Sequence, residues 1–227
     1  MKENTKKLLY LIVPSIIAIV VMYFVDNIIC PDYFIKSIIK VASFGGCVLL
    51  FGLTCKENIL KDNFHLKEKK SLVVCGNIAV LTYGVIFGCY TLLKNYIDPA
   101  QVTGSMFANG NISADNFLWV ALYISAINSL LEEVFFRGLL FLQIKKLGYR
   151  KLAYSLSAFF FAIYHIGIVV NMFNLWVFFL VIVLLYVAGV ILNKAAESCG
   201  SFLGSWMIHI FANLGINTIG CIMLGMF

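Results

Sequence analysis

Charge is what this sequence lacks: only 12% of its 227 residues are charged, against 62% hydrophobic. So little charge cannot keep a surface polar in water, which excludes a soluble globular domain. The sequence contains no GxSxG, no HExxH and no CxxC, so it offers no motif for a serine nucleophile elbow, a zincin or a thiol redox pair. Internal repeats and low-complexity tracts are absent, and with them the repeat symmetry that many transporters carry. The seven cysteines (Cys30, Cys47, Cys55, Cys75, Cys89, Cys199 and Cys221) have no metal-ligand spacing and sit mostly in apolar runs, where cysteine packs as a small hydrophobe.

What the chain does have is apolar runs approaching ~20 residues, the length a helix needs to cross a bilayer. Spans are expected at roughly 8–25, 33–54, 72–93, 117–142, 152–170, 175–193 and 201–223. The connection 94–116 is an eighth element if it dips into the membrane. The fold class is therefore all-α, a polytopic transmembrane bundle of seven or eight helices, with residues 1–227 as a single integral membrane domain. The N-terminal apolar run is longer than a signal-peptide core and no small-x-small cleavage site follows, so it reads as an uncleaved first span. Thirteen of the 17 Lys and Arg residues fall on the N-terminal side when loops are counted alternately, against three on the other side. That asymmetry predicts a multi-pass protein of the cell membrane with a cytoplasmic N-terminus; the net charge of +6 is a topological signal, with no nucleic-acid partner implied.

Residues 129–140, Ser-Leu-Leu-Glu-Glu-Val-Phe-Phe-Arg-Gly-Leu-Leu, place Glu132, Glu133 and Arg137 inside the fourth apolar run. A charge at the bilayer centre costs ~2.5–3.5 kcal/mol on insertion scales, so three within six positions require a reason. Glu133 and Arg137 are i,i+4 neighbours and can pair, the bland structural role. Glu132 points about 100° away and has Phe136, not a cation, at i+4, so it is expected to be free for chemistry. Downstream, Phe161-x-x-x-His165 lies in the fifth span and His209-x-x-x-Asn213 in the seventh. By helical rise Glu132, His165, His209 and Asn213 lie roughly 12–20 Å from the basic ends of their spans, in one layer facing a common cavity that opens toward the cytoplasmic half.

A carboxylate in apolar surroundings suits general-base work, so Glu132 with His165 beside it can hold and deprotonate a water. His209 and Asn213 can donate to the oxyanion formed when that water attacks an amide carbonyl. Glu133 and Arg137 would hold the electrostatics constant, and Phe161 would wall the site beside His165. Asn77 and Asn128 read as interhelical hydrogen-bonding groups, Asn128 also as a cavity lining, and His65 as a solvated loop residue.

Glu-Glu-x-x-x-Arg at 132–137, Phe-x-x-x-His at 161–165 and His-x-x-x-Asn at 209–213, in this order, resemble the CPBP (Abi) family, which includes type II CAAX prenyl endopeptidases and bacteriocin-processing proteins. The resemblance covers residues 117–219. It implies an intramembrane glutamic endopeptidase without a cofactor or metal, acting on a membrane-associated peptide or protein, with Glu132 and His165 activating water and His209 and Asn213 forming the oxyanion hole. Two other readings compete. Glu132, His165 and His209 could supply a Glu/His/His zinc site, and the fold could serve as a non-catalytic scaffold, bacteriocin-immunity protein or proton-coupled transporter.

Overall fold

The computed structural model describes residues 2–65 and 68–226; Met1, Leu66, Lys67 and Phe227 lie outside the described residues. Among the described residues the chain is helical throughout, without strands. In chain order the helices are α1 (Glu3–Ile29), α2 (Tyr33–Cys55), α3 (Ile59–Asn63), α4 (Lys70–Tyr96), α5 (Pro99–Gly110), α6 (Phe117–Lys146), α7 (Arg150–Val169), α8 (Leu175–Cys199) and α9 (Leu203–Met223). Seven of them, all but α3 and α5, are long and apolar enough to cross a membrane, so the protein is a multi-pass membrane protein. The possible eighth element is α5, whose 12 residues rise about 18 Å, well short of the ~30 Å hydrocarbon core. Outward faces stay apolar, as along α8, where Leu180, Val183, Val187 and Ile191 are exposed in a surface suited to lipid.

The core is built around α6. Every residue from Val134 to Phe141 is buried, the signature of a helix surrounded on all sides. Phe44 of α2 stacks on Phe135 with ring centroids 4.0 Å apart, and Phe161 of α7 meets Phe136 edge-on at 5.4 Å.

This central helix is not uniformly α. It widens into π turns at Ile124–Asn128 and Val134–Phe141, on either side of the Glu pair. Wider turns disturb the backbone ladder, and in an apolar medium loosened carbonyls need partners. Side chains of α9 and α7 provide them. Trp206 Nε1 donates to the Ala126 carbonyl, Asn213 Nδ2 to Ile124 and Asn217 Nδ2 to Ala121, each at 3.1 Å. Ser157 Oγ donates to the Phe136 carbonyl at 2.9 Å.

Helix α7 has its own interruption, at His165, between the α-helical segments Arg150–Tyr164 and Ile166–Val169. The turn expected over 26–32 is shorter than that, because α1 continues through a π turn, Val25–Ile29, that packs on this break. Asn27 Nδ2 donates to the Gly167 carbonyl at 3.1 Å, and a Cβ on Gly167 would lie 3.1 Å from that same nitrogen. Asp26, buried beside it, pairs with Lys36 of α2 at 2.8 Å. Asn77, expected between helices, lies on the exposed face of α4, and His65 is exposed as expected.

The α7–α8 contact leaves no room for a side chain at Gly189, where an added Cβ would come within 2.9 Å of the Ala158 Cα. Gly189→Val is therefore expected to cost about 1–3 kcal/mol through overpacking, seen as a lowered thermal midpoint in detergent. An unchanged midpoint would mean the two helices are not held this closely. At the end where most basic residues lie, Glu57 accepts from Lys146 at 2.6 Å and Lys7 at 3.4 Å. The Lys146 hydrogen bond, together with the nearby positive charge, holds the Glu57 carboxyl below its ordinary range.

Candidate active site

Glu132 and Glu133 lie on the short α turn between the two π segments of α6, and both are buried. Three other helices bring side chains to them. His209 of α9 touches both acids: Nδ1 lies 2.8 Å from Glu133 Oε1 and Nε2 lies 3.7 Å from Glu132 Oε2. His165 of α7 places its Nε2 3.9 Å from the same Glu132 oxygen. Phe161 is the spacer between the imidazoles, with its ring 4.5 Å from His165 and 5.7 Å, edge-on, from His209. Arg137 donates from NH1 to Glu133 Oε1 at 2.9 Å and lays its guanidinium 4.3 Å above the Phe161 ring.

The hydrogen bonds fix where the imidazole protons sit. The Phe161 carbonyl, 2.7 Å from His165 Nδ1, can only accept, so that nitrogen carries the hydrogen. Glu133, paired with Arg137, is an acceptor for His209 Nδ1 in the same way. In the neutral state both Nε2 atoms therefore present lone pairs toward Glu132 Oε2, an oxygen that has no hydrogen-bond partner among the described residues. Each Nε2 lies within 4 Å of that oxygen, too far for a direct hydrogen bond and near enough for a water to bridge an imidazole to the carboxylate.

The expectation of an unpaired Glu132 needs correction. Lys40 of α2 places Nζ 2.5 Å from Glu132 Oε1 and 2.6 Å from Asn128 Oδ1. Asn128 Nδ2 donates to the same carboxylate oxygen at 3.0 Å, so Asn128 does line the site. No spacing in the sequence reveals this role of Lys40, because its partner lies on another helix, 92 residues away in the chain. Asn213 lies one helical turn beyond His209, with one amide hydrogen on the Ile124 carbonyl. Asn128, Ser129 and Trp206 form a further polar rim, Trp206 Nε1 also reaching Ser129 Oγ at 3.1 Å.

A groove of about 830 Å³ runs between α2, α5 and α6 and includes Tyr33, Ser37, Val41, Asn111, Trp119 and Tyr123. It flanks Lys40 on α2 and lies toward the poorly basic end of the bundle, opposite to the cytoplasmic opening expected. No group of three His, Cys, Asp or Glu side chains among the described residues is arranged to hold a metal ion.

Residues 114–215 match the family model described as type II CAAX prenyl endopeptidase Rce1-like. The match spans all three motifs and supports the CPBP/CAAX protease family, whose members are hydrolases of the intramembrane protease type. No curated protein and no solved structure matches the chain.

Proposed function

We propose, from the premise of a CAAX-type membrane protease, that this protein is a glutamic endopeptidase that hydrolyses a peptide bond in a membrane-associated peptide or protein. The observation that carries the reading is the convergence of Glu132 Oε2 with His165 Nε2 and His209 Nε2 at 3.9 and 3.7 Å. A water held by Glu132 and His165 loses a proton to the carboxylate as its oxygen attacks the scissile carbonyl. His209, protonated on Nε2 and supported through Nδ1 by Glu133, donates to the resulting oxyanion together with the second amide hydrogen of Asn213. Collapse of the tetrahedral intermediate breaks the C–N bond, and the proton taken from water goes to the leaving amine. Glu133, Arg137 and Phe161 keep the imidazoles in place.

In this reading residues 1–227 form one integral membrane domain with its catalytic core in 117–219. The N-terminus is cytoplasmic, the membrane is that of the cell, and the substrate reaches the site within the bilayer along the groove beside α2. Comparing membrane peptides from cells carrying wild-type protein or Glu132→Gln tests it. Products that depend on Glu132 are expected, and identical peptide sets would overturn the reading.

A zinc mechanism is disfavoured by the Lys40 ammonium, which already occupies one oxygen of Glu132 and repels a dication. Dialysis against a strong chelator is therefore expected to leave turnover unchanged. Loss of activity that returns on adding zinc would reverse this choice. A biological effect that survives in Glu132→Ala would instead favour a scaffold.

A further inference from the structure

Helix α2 carries none of the motif residues, yet it delivers the cation nearest to the candidate base. Lys40 is only 5% exposed. It lies about 10 Å along α2 from Tyr33. An ammonium has three hydrogens to place. Two go to Glu132 Oε1 at 2.5 Å and Asn128 Oδ1 at 2.6 Å. The third direction is filled by aromatic faces, with Nζ 4.8 Å from the Tyr164 centroid and 5.5 Å from that of Phe44. Asn128 closes a ring by donating to the same Oε1. The groups near Glu132 are thus Lys40 and, further off, Tyr33 from α2, Asn128 and the more distant Arg137 from its own helix, His165 with Tyr164 from α7, and His209 from α9.

These contacts divide the carboxylate. Oε1 receives both donors, while Oε2 has no donor among the described residues and faces the Nε2 atoms of the two imidazoles. We propose that Lys40 is a positioning residue for the hydrolysis: it keeps Glu132 ionised inside the bilayer and occupies one oxygen, so that the other is presented to water. The inference rests on Glu132 being the base. A buried carboxylate without a counter-charge neutralises by binding a proton, and a protonated Glu132 cannot take one from water. Arg137 cannot substitute, being committed to Glu133 and stacked on Phe161.

The charge state can be read without a substrate. Dicyclohexylcarbodiimide, an apolar reagent, modifies carboxylic acids that are protonated in apolar surroundings. The full chain in lipid nanodiscs would be treated with it and Glu132 modification quantified by peptide mass mapping, with Glu133 as internal comparator. Wild type is expected to resist at Glu132, Lys40→Met to label at least about tenfold more, and Lys40→Arg, which keeps the charge, to stay protected. Asn128→Ala, which removes only the second anchor of Nζ, is expected to fall between them and keeps the test open should Lys40→Met fail to fold.

On a peptide that the wild type cleaves, Lys40→Met is expected to lower kcat by about 100-fold with KM nearly unchanged, and Lys40→Arg to recover part of that loss. Equal labelling of Glu132 in wild type, Lys40→Met and Asn128→Ala, whether all high or all low, would overturn the proposal. If the labelling differs as expected but Glu132→Gln still turns over, the hydrolytic reading has failed and the ion pair stands.

Discussion

Glu132→Gln is expected to abolish hydrolysis, lowering turnover by roughly 1,000-fold or more, within the range lost when a general base is removed. The substitution keeps shape and part of the hydrogen bonding. Its amide oxygen can still accept from Lys40 Nζ and Asn128 Nδ2, which now meet Oε1 at 2.5 and 3.0 Å. The amide nitrogen then takes the place of Oε2 and turns N–H groups, where the carboxylate offered lone pairs, toward the space it shares with His165 and His209 Nε2, 3.9 and 3.7 Å from that position. Water loses its site and the group cannot accept a proton. Stability should fall as well, because a buried cation is left without its anion, a loss of about 3–5 kcal/mol when one partner of a buried pair is deleted. Lys40→Met combined with Glu132→Gln removes both charges and should recover much of the thermal midpoint while remaining inactive. Wild-type turnover in a folded Glu132→Gln protein would refute the mechanism.

The sequence exposed those parts of the site that lie on single helices. Glu133 and Arg137 are four apart and do pair at 2.9 Å, as spacing alone requires. Glu132, His165 and His209 share one depth by helical rise alone, and each imidazole Nε2 does lie within 4 Å of Glu132 Oε2. Contacts between helices were not legible. The Lys40–Glu132 pair joins residues 92 apart in the chain, and no periodicity encodes such a register. Charge arithmetic could have hinted at it, since α6 carries two buried acids and one buried base, leaving an odd negative charge that a lysine too deep to snorkel would balance. The π turns were equally hidden, for apolar residues at 124–128 and 134–141 suit an α-helix as well. Their effect on Asn213, whose amide satisfies the Ile124 carbonyl, depends on backbone geometry that a residue pattern cannot carry.

Arg137→Met should produce the largest loss of stability in the molecule. The guanidinium is fully buried, donates to Glu133 Oε1 at 2.9 Å and covers the Phe161 ring at 4.3 Å. Deleting it strands Glu133 in an apolar core, for which about 3–5 kcal/mol is expected, enough to unfold a marginal bundle at physiological temperature. Adding Glu133→Gln should restore part of the thermal midpoint, because the stranded charge goes with it, and the difference between single and double variants measures the coupling. Activity should not return with stability. His209 Nδ1 donates to Glu133 Oε1 at 2.8 Å, and that bond orients the imidazole. A glutamine amide can turn its N–H toward Nδ1 and swing the imidazole away from the position in which Nε2 donates to the oxyanion, and losing one such donor costs about 100–1,000-fold. Glu133→Gln with Arg137→Met is therefore expected to be folded and nearly inactive. If the folded double variant turns over as fast as wild type, Glu133 and Arg137 serve only to hold helix α6 in place.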